Sequence, residues 1–232
     1  MPKRIFIRDG GLTASNPTPV GYTVIGANGG IPKKQIESTI SDLGGSQFQY
    51  EIGQYVVDEG GVIFHRWLST SAGGSPTAGT VQNYLVVDTT DLSTAAPWDD
   101  ETSADIFNAE STWDGKTNTD NLIAAGAGSG IIPGTAAVLC NNSTNNGKTD
   151  WYLPALDELN KVWINRWDIT QGLENAPGGT QLAYQVVYWS STQYNSSEAW
   201  AFYLLNGRPV TDHGDKTGTY YVRAVRKFTF TI

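Results

Sequence analysis

The sequence predicts an α+β fold of short antiparallel strands, two or three short helices and long loops over residues 47–232, preceded by a small N-terminal arm over residues 1–46. Three observations carry this. Only 16% of residues are charged, while 26 Gly, 8 Trp and 11 Tyr point to a loop-rich chain whose core rests on a few large aromatic side chains. Apolar runs of strand length are separated by Gly, Asn and Asp turn signals. One segment, after Pro154, has helical apolar spacing. A chain of 232 residues accommodates one large domain and an attachment region.

In the arm, Arg4-Ile5-Phe6-Ile7-Arg8 alternates basic and apolar residues as a strand does, and Asp9-Gly10-Gly11 ends it. Residues 13–19 hold Pro17 and Pro19 and read as an extended linker, and Gly44-Gly45-Ser46 as a hinge. A leader without fixed structure is the alternative for the arm. Tyr50–Val57 and Gly61–Leu68 read as two strands around the turn Asp58-Glu59-Gly60-Gly61, and Val81–Val87 as a third. Helices are expected at Asn118–Ala125, capped by Asn118 or Thr119, and at Gly134–Cys140, where Cys140 reads as a buried residue. The clearest helix starts at Pro154. Leu156, Leu159, Val162 and Trp163 form its apolar face, Asp157 and Glu158 sit in its first turn, and Arg166 lies near its end. Gln185–Ser190, Ala199–Leu205 and Tyr220–Arg226 read as a strand meander with turns at residues 194–197 and at Asn206-Gly207.

The chemistry-bearing residues are sparse. Nucleophilic catalysis needs a base beside a Ser or Cys, and neither histidine has a motif around it. His65 lies in an apolar strand, and His213 in the polar loop 211–216. Calcium needs several oxygens at once. Trp98-Asp99-Asp100 and Trp113-Asp114-Gly115 echo fragments of such sites without the proline loop that completes them. No catalytic residue, metal site or cofactor is expected. Trp151, Trp189 and Trp200 are assigned to the core. Trp98, Trp113 and Trp167 either form a stacking surface or anchor long loops. Arg223 and Arg226 read as structural ion-pair partners on the last strand.

The series Gly147–Pro154, Tyr188-Trp189-Ser190-Ser191-Thr192, Ala199-Trp200-Ala201-Phe202 and Tyr221–Arg226 resembles the C-terminal domain of the Legionella collagen-like adhesins, common in phage and bacterial surface proteins. Ile52-Gly53-Gln54 and Gly61-Val62-Ile63-Phe64 match its opening strand pair, so the resemblance spans roughly residues 50–228. It implies a C-type-lectin-like fold that displays a binding surface and performs no chemistry. The formylglycine-generating oxidases of related architecture depend on paired cysteines, and Cys140 stands alone. In lectin-like folds the ligand face lies near the C-terminus, and some phage examples diversify it at Asn, Tyr, Ser, Asp and Thr positions. The ligand-binding residues expected on that ground are Gln193, Tyr194, Asn195, Ser196, Glu198, Tyr203, Asn206, Arg208, Thr211, Asp212 and His213, types that also suit recognition at low entropic cost.

A net charge of −8 with no interior basic patch argues against nucleic-acid binding. No run approaches the roughly 18 apolar residues of a membrane span, and Met1–Asp9 has no signal-peptide core. One cysteine fits folding in a reducing cytoplasm. These features, with an arm that resembles those of phage fibre proteins, lead to the expectation of a phage virion surface protein (fibre, tail or capsid decoration) made in the host cytoplasm. Its expected partners are other virion proteins through residues 1–46 and a host cell-surface glycan or protein. A homo-oligomer, trimer favoured, is expected. The alternative is a bacterial surface adhesin with the same domain.

Overall fold

Two sheets, antiparallel except for the parallel β5–β8 pair, and four short helices organise the described residues, which in the computed structural model are 48–70, 80–100, 104–210 and 215–231. The arm expected over residues 1–46 lies outside them, and the chain from Tyr50 onward is one unit. The first sheet has the order β1-β2-β3-β9, with β1 (Tyr55–Val56), β2 (Gly61–Thr70), β3 (Thr80–Asp88) and β9 (Val225–Thr231). The second has the order β4-β8-β5-β6-β7, with β4 (Ser93–Ala96), β5 (Val187–Gln193), β6 (Ala199–Tyr203), β7 (Arg208–Val210) and β8 (Tyr220–Val222). Between β4 and β5 run α1 (Gly115–Ala125), α2 (Ala136–Asn141), α3 (Leu156–Ile164) and α4 (Arg166–Asn175). The fold is α+β, as the composition and the strand-length runs indicate.

The core lies where α3 and α4 close over both sheets. Leu156, Leu159 and Val162 of α3 meet Val62, Phe64, Leu85 and Val87 of the first sheet and Tyr188 and Phe202 of the second. Spacing of three residues puts the α3 positions on one stripe, which is why that helix is legible in sequence. Trp163 completes the stripe: half-buried, it packs against this core, and its Nε1 donates to the Leu204 carbonyl at 3.1 Å.

Several expected boundaries shift for identifiable reasons. The first helix begins at Gly115, because Asp114 caps it by accepting from Thr117 N–H at 3.0 Å. Asn118 is therefore inside the helix, where its buried amide instead ties down Ser111. The helix expected from Pro154 starts at Leu156, and Arg166 opens a separate helix after the break at Asn165. Tyr50–Val57 is a strand only at Tyr55–Val56. The expected strand Tyr220–Arg226 is two strands in different sheets, parted at Arg223-Ala224.

Glycine sets one packing distance. A Cβ on Gly172 of α4 would meet the Gly53 carbonyl oxygen at 2.3 Å and Val62 Cγ1 at 2.5 Å. Gly53 itself has φ +83°, and a Cβ there would meet the Asp168 carbonyl at 2.6 Å. In an ordinary helix, Gly→Ala stabilises by roughly 1 kcal/mol. Here the sign inverts: Gly172→Ala is expected to lower unfolding stability by about 2 kcal/mol through overpacking, read as a fall in urea midpoint. A midpoint that rises would contradict this contact.

Candidate binding site

Across the open face of the five-stranded sheet runs a groove of about 500 Å³ to which every strand of that sheet contributes. Its centre is a row fixed by register. Val187 of β5 pairs with Tyr203 of β6, which pairs with Arg208 of β7. Directly opposite residues share a face, so the three side chains stand side by side. Thr94 of β4 and Tyr220 of β8 extend the groove to the far edge, with Gln185 and Thr219 adding polar groups. The other half of this face is closed. Trp189, two residues beyond Val187, is fully buried, its Nε1 donates to the Ala96 carbonyl at 2.8 Å, and its ring carries Tyr220 at 4.5 Å. Trp98 anchors the covering loop by donating to the Ser190 carbonyl at 2.8 Å. The groove is the part of the face that this loop leaves open.

Arg208 is the one charged residue lining the groove, is exposed, and makes no ion pair among the described residues. In a chain of net charge −8, a lining with no carboxylate among the described residues is a local inversion of sign. Tyrosine rings supply stacking faces, and Arg208, Gln185 and Thr94 supply hydrogen bonds to a ligand of sugar or peptide size.

The residues expected to bind ligand divide into separate groups. Tyr203 and Arg208 come together in the groove, with Asn206 exposed in the turn between them. Tyr194, Asn195, Ser196 and Glu198 occupy the loop at the opposite end of the β5–β6 hairpin, some five residues of strand away, or roughly 17 Å. Asn195 Oδ1 accepts from Ser197 and Glu198 N–H, both at 2.8 Å, so its side chain builds the turn. Glu198 bridges to Asp215, and Tyr194 packs edge-on against Trp200. Thr211, Asp212 and His213 lie outside the described residues.

Gln193 corrects the expectation: it is 2% exposed. Its Oε1 accepts from Ile106 N–H at 2.9 Å and from Lys216 Nζ at 2.9 Å, and its Nε2 donates to Asp105 at 2.6 Å. The Lys216 ammonium sits over the Trp98 ring at 4.7 Å, 3.8 Å from Asp99, and donates to the Ala104 carbonyl at 2.7 Å. Burial holds the lysine below its ordinary pKa, and Asp99 and Asp105 pull it back up. Gln193 and Asp99 therefore form a structural clamp on a buried cation, which engages the aspartate of the Trp98-Asp99-Asp100 fragment. Asp114 of the other calcium-like fragment is the α1 cap. Among the described residues, no three His, Cys, Asp or Glu side chains gather as metal ligands.

Gln185, Thr94, Thr219 and Tyr220 were missed as lining residues. Strand alternation places Tyr220 on the same side as Val187, but nothing in the sequence says that this side stays uncovered. Trp113 and Trp167 are exposed at 71% and 63%, whereas Trp98 anchors a loop, so the three unassigned tryptophans have different uses.

The sequence model of the Lcl C-terminal domain matches residues 88–226, more than half the chain. The chain belongs to the Lcl C-terminal domain family. The match opens at the end of β3, later than the expected 50, although the Lcl-type sequence and the β1–β3 strands before it form a single unit. Every described groove residue falls within the Lcl span. No curated protein matches the chain. Among solved structures, a fimbrial protein from Bacteroides ovatus superposes with a TM-score of 0.50 at 16% identity, over 74% of this chain and 44% of that one. The Lcl-family chain thus spans less than half the length of that protein, and the likeness is one of fold. No helix among the described residues is long and apolar enough to cross a membrane.

Proposed function

We infer that this protein is a non-enzymatic, adhesin-type surface protein whose C-type-lectin-like domain binds a cell-surface ligand in the groove over β4–β8. The carrying observation is the Val187–Tyr203–Arg208 row in an open groove, free of carboxylates among the described residues, within the Lcl-family span. Aromatic faces beside a guanidinium without an ion pair among the described residues, with hydroxyl groups and the Gln185 amide around them, favour a glycan over a protein. A fimbrial protein with the same fold supports a place on a bacterial surface. The virion placement expected from the sequence rests on the arm over residues 1–46, the missing signal-peptide core and the single cysteine, and the comparisons add no support to it.

The test is binding of purified protein to glycan arrays and to whole cells. Tyr203→Ala and Arg208→Ala are each expected to weaken binding about tenfold, the scale of a central contact residue. Tyr194→Ala, at the far end of the hairpin, is expected to bind as the parent does. Groove variants that bind normally, or loss confined to Tyr194→Ala, would sink the assignment. Capture by a protein receptor that survives glycosidase treatment of the cells would replace glycan with protein as the ligand.

A further inference from the structure

Each sheet has two edges, and three of the four are blunted in ways that discourage pairing with another chain. β1 has two residues, and beyond it β2 is bent by a register shift between Ile63 and His65. β4 has four, with a register shift between Ser93 and Ala96. β7 has three, with Pro209 at its centre. β9 differs: it has seven residues, no proline, and an unbroken register against β3 from Val225 to Thr231.

The phase of the β3–β9 ladder follows from two contacts. Asp88 N–H donates to the Ala224 carbonyl at 2.9 Å, so in steps of two Arg226, Phe228 and Phe230 turn their backbone groups toward β3. Val225 turns its groups the other way and exchanges both bonds with Tyr152, at 2.9 and 3.0 Å. The same alternation points the N–H and C=O of Lys227 and Thr229 outward, where no described residue takes them. The side chains of Lys227 and Thr229 are exposed and leave the edge open.

We propose that this edge pairs with the same edge of a second copy, β9 against β9, antiparallel about a two-fold axis at Thr229. The strand is self-complementary in that register. Thr229 faces Thr229 of the second copy, Lys227 faces Thr231, and Phe228 faces Phe230. Residues 227, 229 and 231 all turn their backbone groups outward, so every opposed pair among them exchanges hydrogen bonds. The lysines never meet. The Phe228–Phe230 pairs extend an existing ring cluster, in which Phe228 stacks on Tyr84 at 4.9 Å and Phe230 meets Tyr50 at 6.4 Å. An axis at Lys227 would oppose two lysines and run into Tyr152. The pairing joins two four-stranded sheets into one of eight strands, and makes the unit a dimer where the sequence favoured a trimer. It stands independently of the binding function.

Sedimentation velocity on the full chain over a concentration series tests it. The parent is expected to dimerise. Thr229→Asp places two carboxylates at the axis and is expected to weaken the dimer at least about tenfold. Thr229→Pro removes an outward N–H while leaving the β3 ladder intact, and is expected to do the same. Tryptophan fluorescence and thermal midpoint report whether each variant is folded. A register-specific check does not depend on those variants: under mild oxidation Thr229→Cys cross-links to itself, and Lys227→Cys, which faces Thr231, does not. The one native cysteine, Cys140, is buried. A parent that stays monomeric, an assembly that keeps its mass in both Thr229 variants, or a cross-link through 227 and not 229 would overturn the proposal.

Discussion

Arg223→Met is expected to cost the domain about 3–5 kcal/mol, most of the stability that a domain of this size has. The guanidinium is 3% exposed at the point where the last strand run crosses from one sheet to the other. Its Nε donates to Asp91 at 2.6 Å, its Nη1 to the carbonyls of Thr180 at 3.0 Å and Asp88 at 3.3 Å, and its Nη2 to Thr180 Oγ1 at 3.0 Å. One planar group thus ties the end of β3, the segment before β4 and the loop after α4 to the β8–β9 crossing. Methionine fills the volume but leaves Asp91 without its cationic partner, with only the Tyr188 hydroxyl still donating to it at 3.1 Å, and takes a donor from two carbonyls; the desolvation of those groups sets the magnitude. Arg223→Lys is expected to recover only part of the loss, because an ammonium cannot reach three segments at once. Equilibrium urea unfolding measures this, and a loss below 1 kcal/mol for the methionine variant would show that the cluster is not a unit.

A second large effect is expected from pH, through Glu158. Its carboxyl is 4% exposed, and burial pushes its pKa from 4.5 up to about 7. The Ala155 N–H at 2.8 Å and the Tyr152 hydroxyl at 2.8 Å pull the other way without prevailing. The folded state therefore holds this proton more tightly than the unfolded chain does. The stabilisation is fully present below pH 4.5, declines as pH rises, and is gone above about 7, a change on the order of 3 kcal/mol. Glu158→Gln should remove that slope, since its carbonyl can face Ala155 N–H and its amide can donate to Tyr152. His65 acts in the opposite sense. Burial, then Lys161, lowers its pKa from 6.5 to about 4, so its contribution is present above 6.5 and is lost as pH falls toward 4. Between these limits the two oppose each other in the parent, and the Gln variant removes the Glu158 slope from that balance. Urea midpoints for both proteins from pH 4 to 8 measure the difference. A parent curve that rises with pH while the Gln variant runs parallel to it would refute the assignment to Glu158.

Glu158 also shows the limit of local reading. In sequence it is an acidic residue in a first helical turn, and a helix dipole accounts for it. In the structure it does bond the Ala155 N–H at the helix start, but it does so from a dry site against Gly115, where a Cβ would meet its Oε2 at 2.4 Å. Gln193 was misread for a related reason. Its neighbours Tyr194, Asn195 and Ser196 are turn residues at the surface, yet one residue earlier the strand turns inward toward Lys216. Polar type and loop proximity are the same for Gln193 and the turn residues, and what separates them is that β5 is covered on both faces from Tyr188 to Gln193.

What the sequence by itself determined is what depends on local periodicity and turn chemistry. Strands β2 and β3 and the β5–β6 pair follow from strand-length runs, the core stripe of α3 from helical spacing, the buried Cys140 from apolar context, and the buried Trp151 and Trp189 together with the Lcl family from an ordered series of motifs. Arg223 and Arg226 were legible as ion-pair residues, although not their partners. The tertiary structure alone decided which surfaces remain open. Whether the side of β5 that carries Val187 is groove or core depends on a loop anchored by Trp98, ninety-two residues away from Ser190. Whether β9 is an edge depends on what the remaining strands pair with. Coverage of a sheet face or edge is a non-local property: it is set by chain segments far apart in sequence, whose meeting no local pattern records.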